Sequence, residues 1–355
     1  MSTELQQLSP LSSPLIEITR GAMVESRHRG FITVVDIEGQ RIAGTGDPGM
    51  KTYLRSSAKP FQCLPVISSG AADHFQFTAR ELAVMTGSHS GEPMHLEAVM
   101  ALLEKIGATE SDLQCGAHVP FDEATARQLA AADRPPRTLH NNCSGKHAGL
   151  LGLSKYLKAP LAEYLQNSHP VQQEILRTLA EFTGLRIEEM TIAIDGCSAP
   201  VFGMSLEAMA LSYARLAAAR LANLAPSLIA ASERLVAAMT EYPEMVGGTV
   251  GRLDTDLMRV ARGRIISKVG AEGLQLIGVL PDGPGGRAPR GLGIAVKIED
   301  GDSQRARNPA VIETLRQLGL LDDEQLAKLS SYAHVRLYNH RRAEVGEVRT
   351  CFRLA

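Results

Sequence analysis

Cysteine is scarce and forms no pairing pattern. The five residues Cys63, Cys115, Cys143, Cys197 and Cys351 are an odd number spread through 355 positions. That excludes a disulfide-stapled scaffold and fits a reducing compartment. No C-x-x-C spacing occurs, so spacing alone reads as no structural zinc site. Apolar runs of about 20 residues are also missing, and with them any helix expected to span a bilayer. The stretch from Met1 to Leu15 lacks the basic start and following apolar run of an export signal, so a cytoplasmic protein is expected. There is no excess of either charge: 37 basic side chains face 39 acidic ones. No segment interleaves Lys and Arg with aromatics, so nucleic acid is not an expected partner. Internal repeats and low-complexity segments are absent. The glycines between Asp282 and Gly293 read as a hairpin connection, because no strand feeds them into a helix as a dinucleotide fingerprint requires.

What remains is the composition of a globular protein, 44% hydrophobic and 21% charged, in a chain long enough to bury a large core. Short β-branched runs lie near both ends: Leu15 to Ile18, Phe31 to Asp36, Ile265 to Lys268, Leu274 to Leu280, Ile294 to Ile298 and Val335 to Tyr338. The two ends are therefore expected to share a sheet, about 14–60 with 247–355, beside a helical lobe of about 61–246. Residues 1–355 then form one catalytic unit. Thr78 and Glu81 are spaced as a capping box. Pro93 leads a helix from Met94 to Ile106 that Gly107 ends. Further helices are predicted over Val171 to Phe182, Leu206 to Ala222 and Ser227 to Met239, with another from Asn308-Pro309 to Gly319. Met190 to Asp195 reads as a strand ending in a turn.

Five segments hold side chains able to do chemistry. In Arg55-Ser56-Ser57-Ala58-Lys59-Pro60, residues three apart share a helix face, so Ser56 and Lys59 can meet. Pro60 is tolerated only in a first turn, which places the pair at a helix start. The positive end of the helix disfavours a second charge and helps Lys59 act as a base. The plainer reading is an ordinary polar helix start. Met85-Thr86-Gly87-Ser88-His89-Ser90-Gly91-Glu92 interrupts an apolar helix with small polar residues suited to close ligand approach; read alone, it is a capped loop with His89 on the surface. Asn141-Asn142-Cys143-Ser144-Gly145-Lys146-His147-Ala148-Gly149 and Asp195-Gly196-Cys197-Ser198-Ala199-Pro200 bring thiols and a carboxylate that serve metal binding, substrate anchoring or, for the cysteines, simple burial. In Ser267-Lys268-Val269-Gly270, strand alternation points Lys268 into a cleft while Gly270 lets substrate approach; a solvent-facing lysine is the commoner case.

In this order the five segments resemble the asparaginase II family, the rhizobial type of L-asparaginase. The resemblance runs from Arg20-Gly21 and Val24-Glu25-Ser26-Arg27-His28 to Gly293-Ile294-Ala295-Val296-Lys297-Ile298-Glu299-Asp300-Gly301, and Cys143-Ser144-Gly145-Lys146-His147 and Asp195-Gly196-Cys197 are its most specific parts. It implies an α/β fold similar to serine β-lactamases and glutaminases, with a mainly antiparallel sheet from both chain ends packed on a helical lobe. It implies two tandems facing each other across a cleft, Ser56 with Lys59 and Ser88 with Lys268. It further implies substrate contacts from Arg55, Lys146, His147 and Asp195, and a zinc held by Cys143, Lys146 and Cys197. Gly87 departs from an expected alanine, and Asp254 stands where a related member carries cysteine.

The expected activity is hydrolysis of L-asparagine to L-aspartate and ammonia through an acyl-enzyme, with Ser56 favoured over Ser88 as the acylated residue and a symmetric dimer as the default assembly. Two alternatives stand beside it. One is a β-lactamase-like or other small-amide serine hydrolase, and the other a zinc-binding regulatory protein in which Cys143 and Cys197 are structural.

Overall fold

The computed structural model describes residues 11–283 and 287–355. Eleven strands are assigned there: β1 (Ser13–Arg20), β2 (Met23–Val35), β3 (Arg41–Thr45), β4 (Lys51–Tyr53), β5 (Thr191–Ile194), β6 (Pro200–Ser205), β7 (Ile265–Gly270), β8 (Leu274–Val279), β9 (Leu292–Ile298), β10 (Val335–Tyr338) and β11 (Glu344–Thr350). The main sheet runs β10-β11-β1-β2-β9-β8-β7, with β3 also paired to β2, and every pairing is antiparallel. Both chain ends build it, as the placement of the β-branched runs predicts. The connection from β8 to β9 is the expected hairpin; its residues 284–286 lie outside the described residues.

The centre of the sheet is buried on both faces, and strand periodicity of two decides which residue serves which core. From β2, Phe31 and Val35 enter the core shared with the helical lobe. Ile32 and Val34 enter a second core with Ile294, Val296 and the helix Asn308–Gln317. On the first face the helix Leu206–Ala217 lies against β2, β8 and β9. Gly278 and Gly293, cross-strand partners, make the approach possible. A Cβ on Gly293 would stand 1.8 Å from the Ala210 carbonyl oxygen, and one on Gly278 2.7 Å from that of Tyr213.

The predicted helices form with small shifts. The Thr78–Glu81 capping box is made at the start of Ala79–Met85, and Pro93–Lys105 ends before Gly107 at φ 61°. The helix from Leu206 stops at Ala217 rather than Ala222, because Ala218 leaves helical geometry (φ −127°, ψ 42°) to pack with Ile37. A second sheet of order β4-β6-β5 stands beside the helices; β5 is the strand read at Met190 to Asp195, whereas β6 and β4, the latter from the segment assigned to the main sheet, were not anticipated.

Candidate functional site

Ser88 lies just past the helix Ala79–Met85, where its backbone N–H bonds Val246 O at 2.9 Å. Gly87 before it is required by this path, since a Cβ there would sit 2.6 Å from the Met245 carbonyl oxygen. Two buried lysines converge on the Ser88 hydroxyl. Lys268 Nζ donates to Oγ at 2.9 Å and to Val269 O at 3.0 Å. Lys59 Nζ donates to Oγ at 3.1 Å, to Gly87 O at 2.6 Å and to Asn142 O at 3.1 Å. Lys268, whose commoner reading was solvent-facing, is fully buried, as is His89, which bonds Ser144 Oγ and is not on the surface.

Pro60 does stand in the first turn of the helix Lys59–Ser68, with Ser56 in the 3-10 turn before it. The expected Ser56–Lys59 hydrogen bond is not made among the described residues, because three oxygens draw the Lys59 amine inward. Ser56 instead lines a cleft of about 390 Å³ together with Ser88 and Asn142. Arg55, next to it, sits in the left-handed region at φ 49°, uncommon for a non-glycine residue. Gly270 also lines the cleft, yet the room expected for substrate above its Cα is taken: a Cβ would meet Leu274 Cδ2 at 2.8 Å and Leu54 O at 2.9 Å.

Burial lowers the pKa of Lys268 to about 7, with the nearby charges of Lys59 and Arg252 adding to the effect and Asp254 opposing it. Asp254 is a residue whose role sequence reasoning missed. Its carboxylate accepts from Ser267 Oγ, Gln275 Nε2 and the Val269 N–H, and stands 3.9 Å from Lys268 Nζ. The one sequence signal was its replacement of an expected cysteine.

The other segments meet behind this centre. The hairpin turn between β5 and β6 carries Asp195 and Cys197. Asp195 Oδ1 accepts from Arg55 Nε at 2.8 Å and from the Gly196 N–H, leaving Oδ2 without a hydrogen bond among the described residues. Lys146, on the helix Ser144–Tyr156, donates to Cys197 Sγ at 3.0 Å. The Cys143 thiol donates to Asn142 Oδ1 at 3.0 Å, and its interaction with Cys197 pushes Cys143 up and holds Cys197 well below the usual thiol range. Burial works against a charge on Lys146, but the neighbouring Cys197 and Cys143 outweigh it and raise its pKa. His147 is lowered to about 4 by burial and by Lys146; its Nδ1 meets Tyr164 Oη at 2.6 Å, while Nε2 is buried without a partner. The structure thus brings together Ser88, Lys268 and Lys59 as one group, Arg55 and Asp195 as a second, and Cys143, Lys146, Cys197 and His147 as a third.

Comparison with known sequences defines the class of protein, an amidohydrolase. The chain belongs to the L-asparaginase II family, whose model matches residues 16–350. No curated protein sequence matches it. Among solved structures it is similar to a probable glutaminase from Bacillus subtilis complexed with 6-diazo-5-oxo-L-norleucine, at 15% identity and a TM-score of 0.38, covering 82% of this chain and 84% of that one. It is also similar to Mglu, at 17% identity and a TM-score of 0.42, covering 83% of this chain and 68% of that one. At such overlap the family match carries the assignment. Among the described residues no helix is long and apolar enough to cross a membrane.

Proposed function

We propose that the protein hydrolyses the side-chain amide of L-asparagine through an acyl-enzyme on Ser88, with Lys268 as the base. The carrying observation is Ser88 at the cleft, its hydroxyl 2.9 Å from an amine that burial brings to about 7. A lysine near neutrality can take a proton, a service worth roughly 10² to 10⁴ in rate. Ser88 Oγ attacks the amide carbon as its proton passes to Lys268. The lysine returns that proton to the departing nitrogen, ammonia leaves, and water activated by the same amine hydrolyses the ester. Lys59 meets three oxygen acceptors, one for each N–H of an ammonium, and steadies the Ser88 oxygen.

This exchanges the roles expected from sequence, where Ser56 with Lys59 was favoured. The turning of Lys59 to Ser88 supports the exchange and leaves Ser56 to contact substrate. The free Oδ2 of Asp195 supports its reading as the anchor for the α-amino group, with Arg55 holding its other oxygen. Lys146 and His147 are proposed to line the same end. A symmetric dimer belongs to the proposal and is read by light scattering.

Zinc is tested by the donor set. Two thiols and an amine converge, and the unpartnered Nε2 of His147 lies on the residue after Lys146, which fits a soft metal. Against it, no three His, Cys, Asp or Glu side chains gather as a metal site among the described residues. Cys143, Lys146 and Cys197 would hold the ion, which when bound would supply Lewis-acid polarisation to a substrate oxygen.

The experiment is ammonia release from asparagine, glutamine, other small amides and a β-lactam, with and without chelator, followed by trapping and mass mapping of the acyl-enzyme. Label on Ser88 is the expected result. Label on Ser56 would restore the pairing read from sequence.

A further inference from the structure

Residues 87–92 lie outside any helix or strand, so the backbone of Ser88 must be held from elsewhere. The segment 246–252 holds it. The Ser88 N–H donates to Val246 O at 2.9 Å, and Arg252 Nη2 donates to the Ser88 carbonyl oxygen at 2.7 Å. Ser90 Oγ donates to Gly247 O and accepts from Arg252 Nη1, both at 2.9 Å. Further along, the Glu92 carboxylate accepts from the Thr249 N–H at 2.8 Å and from Thr249 Oγ1 at 2.7 Å. The two segments approach too closely for a side chain between them: a Cβ on Gly248 would meet Glu92 Oε1 at 2.7 Å and overlap Ser90 Oγ.

Arg252 is the charged member of this clasp. It is half-buried beside Ser88 at the cleft, with its Cζ 5.4 Å from the centre of the Phe121 ring. Burial lowers its pKa, while the carboxylates of Asp254 and Glu92 act against that and compensate its charge. Its fork reaches an acceptor on Ser88 and another on Ser90 at once, which a single amine cannot reproduce. With the N–H and the carbonyl of Ser88 both tied to the segment 246–252, the backbone has little freedom, and the direction of Oγ toward Lys268 is fixed.

We infer that Arg252 is a positioning residue: through the Ser88 carbonyl and Ser90 Oγ it sets where the Ser88 hydroxyl stands relative to Lys268 and the amide carbon. The inference rests on the proposed reading of Ser88 as nucleophile and deepens it. Such a residue acts on the chemical step and leaves substrate affinity alone. Its charge has a second effect. Burial lowers Lys268 most; Lys59 and Arg252 add to the lowering, while Asp254 and Cys143 oppose it. Removing the positive charge of Arg252 therefore raises the lysine, opposite in sign to removing the carboxylate of Asp254.

The test is ammonia release from L-asparagine across pH by wild type, Arg252→Gln and Arg252→Lys, with folding checked by circular dichroism. Arg252→Gln is expected to lose about 10- to 100-fold in kcat, the range for hydrogen bonds to a charged group, with KM little changed. The acidic limb of its kcat/KM profile is expected to move alkaline. Arg252→Lys keeps the charge and loses the fork, so its kcat should fall while its limb stays at the wild-type pH. An unchanged kcat in either variant, a loss carried by KM alone, or an unmoved limb in Arg252→Gln overturns the inference. If Arg252→Gln does not fold, Arg252→Lys decides, and wild-type kcat in that variant overturns it. Phosphonylation of Ser88 by a fluorophosphonate, mapped by mass spectrometry, follows the same hydroxyl and base without any amide. Slowed labelling in Arg252→Gln of an enzyme that releases no ammonia sinks the amidase reading and leaves the role of Arg252 standing. Labelling at the wild-type rate in that variant, or wild-type label on Ser56 alone, overturns the role.

Discussion

At the scale of single residues, the chemistry turns on how burial and neighbours set one amine. Lys268 must be neutral to act, and its pKa is lowered to about 7, so kcat/KM should rise with pH along an acidic limb with its midpoint near 7. The Asp254 carboxylate favours the charged form of Lys268. Removing that negative charge in Asp254→Asn lowers the lysine further, and the limb should move to more acidic pH. A limb that stays in place, or moves alkaline, would mean that Lys268 is not the titrating base. Ser88→Ala and Lys268→Met should each lose about 10²-fold or more in turnover, measured by ammonia release. Retention of a tenth of the activity by either would return the mechanism to Ser56 and Lys59. Ser88 and Lys268 were legible as candidates, but their partnership with Lys59 was not. An i, i+3 spacing says that two side chains can meet, whereas Gly87 O and Asn142 O, from distant segments, decide where the amine goes.

At the scale of elements, propensity and punctuation read well where they act locally. The capping box at Thr78, the helix start at Pro93 and the strand Val335–Tyr338 all appear where the residues place them. β11 was missed because Glu-Val-Gly-Glu-Val-Arg-Thr has few apolar residues. It is extended because it pairs with β1 on one side and β10 on the other. Packing of the helix Leu206–Ala217 on the sheet makes a prediction at this scale. Gly293→Ala puts a methyl where the Ala210 carbonyl oxygen lies, so the helix must back away or β9 must bend. The expected cost is about 1 to 3 kcal/mol, the usual range for overpacking, read as a fall in the denaturant midpoint. An unchanged midpoint would show that the contact is looser than described.

At the scale of the whole molecule, the site joins segments from Arg55 to Asn308, so substrate preference is a property of the assembled cleft. L-Asparagine should be preferred over L-glutamine in kcat/KM. One extra methylene in a fitted pocket is worth only about 1 to 3 kcal/mol, so glutamine should be a poor substrate rather than an inert one. Comparable values for the two would sink the asparagine reading. The third cluster makes a separate prediction: protein expressed with added zinc should carry about one ion per chain, and Cys197→Ser should lose it, by elemental analysis. Content near zero, or unchanged in the variant, would leave Cys143 and Cys197 as buried thiols. The Ser88 mechanism stands either way, since no step passes through the metal.

The sequence by itself determined the general form of the protein: a sheet from both chain ends, a largely helical middle, and the segments that carry serines, lysines and thiols. Those follow from periodicity, caps and short motifs, which act over a few residues. Only the tertiary structure decided that Lys59 serves Ser88, that Asp254 backs Lys268, and that Arg252 holds the Ser88 carbonyl. Each of these joins residues far apart in the chain, Ser88 and Lys268 by 180 positions. Their meeting depends on the antiparallel order that sets β7 at the sheet edge beside the turn of Ser56. Local spacing carries no information about that order, because it is set by which buried faces pack against which.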